Sequence, residues 1–245
     1  MGTEEGLGGP AFYALRPGGW RDLVTLLHPP YTAWHLSYVA LGAAAAPVVH
    51  VDRLLAALAA FFLAVGICAH TLDELHDRPL GTRLSDRTLT ALAAGSLAGA
   101  VAIGVAGLFI VSASLAPLVL VGAFIVVAYN LELFGGRFHS DFWFAAAWGA
   151  FPAFTGYWVN ALSIDLAGVL VTGACFAISV AQRRLSTPVR ELRRRTVSVS
   201  GSQELADGTT LELSQASIAA PLDGALRALS AGMVLLAAGL VAVRV

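Results

Sequence analysis

The stretch LLAALAAFFLAVGICAHTLDELHDRPLGTRLSD, Leu54–Asp86, decides the reading of this chain: sixteen residues without a charge precede seventeen, His70 to Asp86, of which eight are ionisable. A hydrocarbon core of about 30 Å is crossed by roughly twenty apolar residues in a helix. The acids therefore fall at the end of a membrane helix. If that helix continues past Ala69, His70, Asp73 and Asp77 stand at i, i+3 and i+7 on one face, with Glu74 bordering it. Carboxylates converging from one face repel each other, so they serve stability poorly and a hard divalent cation well; magnesium takes few carboxylates together with water and phosphate oxygens. The plainer reading is a solvated loop in which Asp73 pairs with Arg78 or Arg83 and no metal is involved.

Composition agrees with a membrane chain. Of 245 residues, 57% are hydrophobic and 13% charged, against about a quarter charged in soluble domains; mean hydropathy is +0.74. Seven apolar segments are expected, near 27–49, 54–72, 89–111, 116–134, 142–161, 166–182 and 226–243. With the N-terminus in the cytoplasm, thirteen of the fifteen arginines lie inside and only Arg53 and Arg244 outside, the bias that sets topology at the plasma membrane. The fold class predicted is an all-α polytopic bundle of about seven transmembrane helices. Its polar mouth opens to the cytoplasm at the ends of segments two, four and six.

The organisation follows. Residues 1–26 read as a cytoplasmic arm; its MGTEEGLGGP start lacks the basic region and continuous apolar core of a signal peptide. Residues 27–182 form a six-helix core, 183–225 a basic cytoplasmic loop, and 226–245 a last span. Within that loop TVSVSGSQELADGTTLELS alternates polar and apolar residues about an ADGT turn, which signals a β-hairpin. Cys68 and Cys175 each lie inside an apolar run, where neither a disulfide framework nor a cysteine metal site is expected.

Several motifs, in order, resemble the UbiA superfamily of intramembrane prenyltransferases. LLHPPYTAWHLSYVALGAAAA is similar to that family's opening helix. In AVGICAHTLDELHDRPLGTRLSD, Ala69 and His70 stand for the Asn and first Asp of its N-D-x-x-D-x-x-x-D motif, and Asp73 and Asp77 match the next two acids. AYNLELFGGRF resembles its Y-S-x-x-x-L-K/R segment through Tyr129 and Arg137, and Phe151, Pro152 and Gly156 match the L-P-x-x-x-G ending of its fifth helix. The resemblance covers roughly residues 20–195. It implies transfer of a prenyl group from a prenyl diphosphate to a lipophilic or aromatic acceptor within the membrane, or the related cyclisation of the same kind of substrate. Asp73 and Asp77 would hold Mg2+, His70 would join them as a catalytic residue, and Arg78, Tyr129, Arg137, Arg183 and Arg184 would contact diphosphate.

Two features depart from that pattern. Where the family carries a second acid-rich motif, QRRLSTPVRELRRR offers Glu191 alone, and seven spans replace the usual nine. A non-catalytic isoprenoid- or lipid-binding chain, or an accessory membrane protein of the same fold, is the alternative these departures leave open. Arginines could substitute for the missing acids, since guanidinium groups pair with phosphate in a bidentate way; as a plain anchor at anionic lipid the same run needs no ligand. The six histidines do not form the closely spaced boxes of a membrane di-iron enzyme, with His28 and His139 isolated in sequence. The D-G and A-R pairs of CDP-alcohol phosphotransferases are missing, and no nucleic-acid signature is present.

Overall fold

The computed structural model describes residues 9–245. Of the arm expected over residues 1–26, the first eight lie outside the described residues. The remainder folds back onto the bundle, where Tyr13 meets Tyr31 edge-on with ring centres 5.6 Å apart, and within it Leu15 N–H donates to Thr25 Oγ1 (3.0 Å) on the short helix α1, Trp20–Leu26.

Seven longer helices follow. They are α2 (Pro29–Ala45), α3 (Val51–Asp77), α4 (Asp86–Ile110), α5 (Ala116–Asn130), α6 (residues 141–161), α7 (Leu166–Arg194) and α8 (Gln215–Ala242). The chain is mostly helical, and five stretches (α3, α4, residues 113–130 containing α5, α7 and α8) are long and apolar enough to cross a membrane. Their outward faces carry Phe109, Leu120, Leu166 and Leu235, each more than 70% exposed. Contiguous apolar surface of this kind is what lipid accepts and water does not. The other two helices read less clearly as spans for visible reasons: α2 has 17 residues, and Trp, Tyr, Gly and Pro dilute the hydropathy of α6.

Local chemistry sets the helix ends. Prolines open α2, where a missing N–H costs nothing. Ser85, Ser140, Asp165 and Ser214 cap α4, α6, α7 and α8 through their side-chain oxygens. The Gly168 N–H that Asp165 accepts holds its carboxyl below the usual range. Two helices change pitch midway: α3 is π-helical over Phe62–Ala69 and α6 over Ala146–Ala150. Such insertions gather at functional sites.

Helices α7 and α8 overturn both boundaries of the loop expected over 183–225, since α8 begins at Gln215 and not at 226. The sixth span was expected to end at 182 and give way to a loop, but the helix runs on through Pro188 to Arg194, adding about three turns of arginine-rich wall. A hairpin follows, β1 (Ser202–Glu204) antiparallel to β2 (Thr210–Glu212), with Gly208 at φ 85° in its turn.

Helices α2 and α6 approach most closely. A Cβ on Gly42 would overlap the Ala153 carbonyl, and one on Gly156 the Val39 carbonyl, so backbone meets backbone in the small-residue packing of membrane helices. Helix α8 lies on α2, where Ser230 Oγ donates to Pro30 O (2.7 Å), and Arg244 Nη2 donates to Ala46 O (2.6 Å) beyond the helix end. This scaffold fixes the two histidine-bearing turns of α2 against α3 and α6.

Candidate functional site

The eight ionisable groups that opened the sequence reading separate into three kinds. Glu74 is wholly buried and is a structural brace: its carboxylate accepts from Leu80 N–H (2.9 Å), Thr82 N–H (2.8 Å) and Thr82 Oγ1 (2.9 Å). These bonds fold the return loop against the end of α3. Replacing Glu74 by Ala orphans two buried N–H groups, each worth about 1–3 kcal/mol; the expected loss of roughly 3 kcal/mol should be read as a lower unfolding midpoint in detergent.

The second kind faces solvent or makes local ties. Arg78 takes the left-handed conformation that ends α3 (φ 51°), donates to Leu84 O (2.7 Å) and pairs with Asp86. Asp77 is 76% exposed, with His76 Nε2 at 3.9 Å. Arg137 and Arg184 are exposed as well. None of these four lines the cavity described next. The predicted Asp73–Asp77 pair is therefore not brought together, because the helix carries Asp77 one turn beyond Asp73 to its very end.

Asp73 and His70 are the third kind. They line a cavity of about 960 Å³, counting its open mouth, with walls from the 10–13 segment, α2, α3, α5, α6, α7 and α8. Of the other predicted residues, Tyr129 and Arg183 line it too. Arg183 is held by Asp141 (Nε to Oδ1 2.8 Å) with its guanidinium 5.2 Å from the Phe144 ring centre. Asp73 makes no hydrogen bond or ion pair among the described residues.

Sequence reasoning missed most of the remaining wall. Arg190 and Arg194 join Arg183 at i, i+7 and i+11, one helical face, a signal readable once α7 is known to continue. Arg193 also reaches the cavity but is spoken for by Asp223 (Nη2 to Oδ2 2.6 Å), both side chains being nearly buried. His28 and His35 from the start of α2 and His139 from the turn before α6 converge here with His70 of α3. His28 stacks on His70 with ring centres 4.0 Å apart; His139 stacks on Tyr129 at 4.5 Å. Tyr13 closes the wall from the N-terminal segment, and its burial pushes the phenol well above its ordinary pKa.

Four polar atoms around this cavity are buried without a hydrogen-bond partner: Tyr129 Oη, Gln182 Oε1, Arg193 Nε and Asp223 Oδ1. Buried polar groups are nearly always satisfied. A polar ligand is the natural partner for such a set.

The donors do not fit the two-carboxylate magnesium site that the resemblance implies. Asp223 is neutralised by Arg193, Asp77 stands outside, and no three His, Cys, Asp or Glu side chains are grouped as a metal site among the described residues.

A second cavity adjoins the first. It is an apolar groove of about 950 Å³ between α3, α4, α5 and α6, lined by residues such as Phe61, Leu97, Gly104, Gly122 and Phe151. Val65 and Trp148 line both spaces. Along α3 the groove extends from Val65 to Arg53, roughly 18 Å at the helical rise.

Site and scaffold together define a helical chain with five helices long and apolar enough to cross a membrane and a polar cavity that shares wall residues with an apolar groove. No family model, no curated protein and no solved structure matches this chain.

Proposed function

We propose that this chain is an intramembrane prenyltransferase of the UbiA type, with α2–α8 all crossing the plasma membrane and the N-terminus and polar cavity on the cytoplasmic side. The observation that carries this reading is the shared wall: Val65 and Trp148 stand between a cavity rich in arginine and histidine and a groove that is almost wholly apolar. A prenyl diphosphate has that same division. Its head belongs with Arg183, Arg190 and Arg194, whose guanidinium groups pair with phosphate oxygens. Its tail belongs in the groove, screened from water.

In this site leaving-group activation falls to arginine. Guanidinium groups stabilise the charge that grows on the departing diphosphate, and fixed donors in a dry site are worth far more than in water. The allylic carbon then lies near Val65 and Trp148, while the unpaired Asp73 carboxylate, about two turns farther along α3 on the side of Arg190 and Arg194, keeps those guanidinium groups turned into the cavity. A lipophilic or aromatic acceptor traps that carbon.

The test uses membranes containing the full chain, labelled farnesyl or geranylgeranyl diphosphate, and an aromatic lipophilic acceptor. Diphosphate release with labelled product is the expected result; no release at either chain length removes the reading. Asp73→Asn should lower product formation by about 10²–10³ at unchanged protein level and melting temperature. Equal activity in the variant would exclude the role given to Asp73.

A second reading is favoured by one observation: Asp77 lies outside the cavity, leaving a single free carboxylate in it. A non-catalytic chain that binds an isoprenoid or lipid phosphate needs no more than that. Saturable binding of prenyl diphosphate without release of diphosphate is its signature.

A further inference from the structure

We propose that His35 and His70 are the proton acceptors of the transfer step, placed where the polar cavity meets the apolar groove. The proposal rests on the prenyl-transfer reading and adds to it the fate of the acceptor's proton.

Both rings are pinned to backbone carbonyls at that junction. His35 Nδ1 lies 2.8 Å from Trp148 O, and His70 Nδ1 lies 3.2 Å from Gly66 O, next to Val65. A carbonyl oxygen only accepts, so each Nδ1 carries the hydrogen, and in the neutral ring Nε2 is left as a lone-pair acceptor. The two carbonyls belong to the two π-helical segments, Phe62–Ala69 and Ala146–Ala150. Two separate helices thus depart from regular pitch at the same level, each presenting a carbonyl that orients one imidazole. The stack with His28 covers one face of His70 and holds the ring's plane.

The junction is where a prenyl diphosphate must break. Its head and tail divide at the carbon bonded to the diphosphate oxygen, and head and tail cavities divide at Val65 and Trp148. In the step, the bond from that carbon to oxygen breaks and its electron pair leaves with diphosphate. The acceptor's nucleophilic atom forms the new bond to carbon. The proton the acceptor loses passes to an Nε2, giving an imidazolium that returns it to water through the cavity mouth. Atoms and charge balance without a further reactant.

Asparagine is the discriminating substitution, because its side-chain N–H can keep the bond to the carbonyl while the Nε2 acceptor is removed. The sample that decides is the double variant His35→Asn with His70→Asn, as the full chain in nanodiscs, with prenylated product counted per diphosphate released. Its yield of prenylated acceptor should fall by about a hundredfold or more, the difference appearing as prenyl alcohol or alkene. A double variant that prenylates the acceptor as the parent does overturns the histidine assignment alone. A parent chain that releases no diphosphate overturns the prenyl-transfer reading and the proton step with it. Nitrogen-15 spectra of the histidine-labelled parent give a check that needs no variant to fold: Nδ1–H rings with bare Nε2 are expected at His35 and His70, and an Nε2–H tautomer at both overturns the assignment.

Discussion

Asp223→Ala is expected to destabilise the protein by about 3–5 kcal/mol, the cost of leaving one member of a buried ion pair without its partner. Arg193 and Asp223 are 7% and 10% exposed, meet at 2.6 Å, and tie the end of α7 to the first turns of α8. Without the carboxylate, the Arg193 guanidinium stays buried beside Arg190 and Arg194 on the same cavity wall, so repulsion is added to desolvation. Replacing both partners by apolar residues, Arg193→Met with Asp223→Leu, should recover most of the loss, since a well-packed apolar pair often equals a buried ion pair in stability. Denaturant midpoints of the parent and the two variants in detergent provide the comparison. A single variant as stable as the parent would mean the pair is solvated and does not join the two helices.

Gly156→Ala is expected to cost on the order of 3 kcal/mol or more, near the upper end of overpacking effects. The new methyl group would overlap the Val39 carbonyl, and Gly42→Ala would do the same to the Ala153 carbonyl. Side chains can turn away from an added carbon. A helix backbone cannot, so α2 and α6 must separate. Gly95 and Gly173, which have nothing within 4 Å of a Cβ, provide the control: alanine there should be neutral or stabilising by up to about 1 kcal/mol. Thermal melts of the four alanine variants would show the contrast. Loss at Gly156 should extend to function, because the His35 to Trp148 bond crosses the same α2–α6 contact.

The helices were legible because apolar length is a local property. Each of the seven apolar segments became a helix. The site was legible only in part, and the reasons differ by residue. Periodicity placed Asp73 and Asp77 on one stripe, but a stripe does not say where the cavity stops along it, and Asp77 lies past that end. Glu74 is one residue from Asp73, a rotation of about 100°, and that turn separates a cavity wall from a loop brace. Nothing in spacing distinguishes the two roles, since the brace depends on the path of residues 78–82.

The histidines were illegible for another reason. His28 and His35 come from the start of α2, His70 from α3 and His139 from the turn before α6, and their meeting is a product of tertiary packing. The arginines lay between these cases. Arg183, Arg190 and Arg194 have a helical spacing that could be read from sequence, but Pro188 and the drop in hydropathy after Gln182 made a loop the natural expectation.

The π-helical stretch Phe62–Ala69 has a consequence for how such a chain can change. It acts as a phase shifter: the wide turns set the azimuth of His70 and Asp73 relative to everything before Phe62. Removing a single apolar residue from it would swing both side chains by about 100° and leave the hydropathy of the span nearly as it was. Membrane insertion and the chemical site are thus written in the same eight residues but in different alphabets, one of bulk greasiness and one of angle. A lineage could lose the second while the first stays intact.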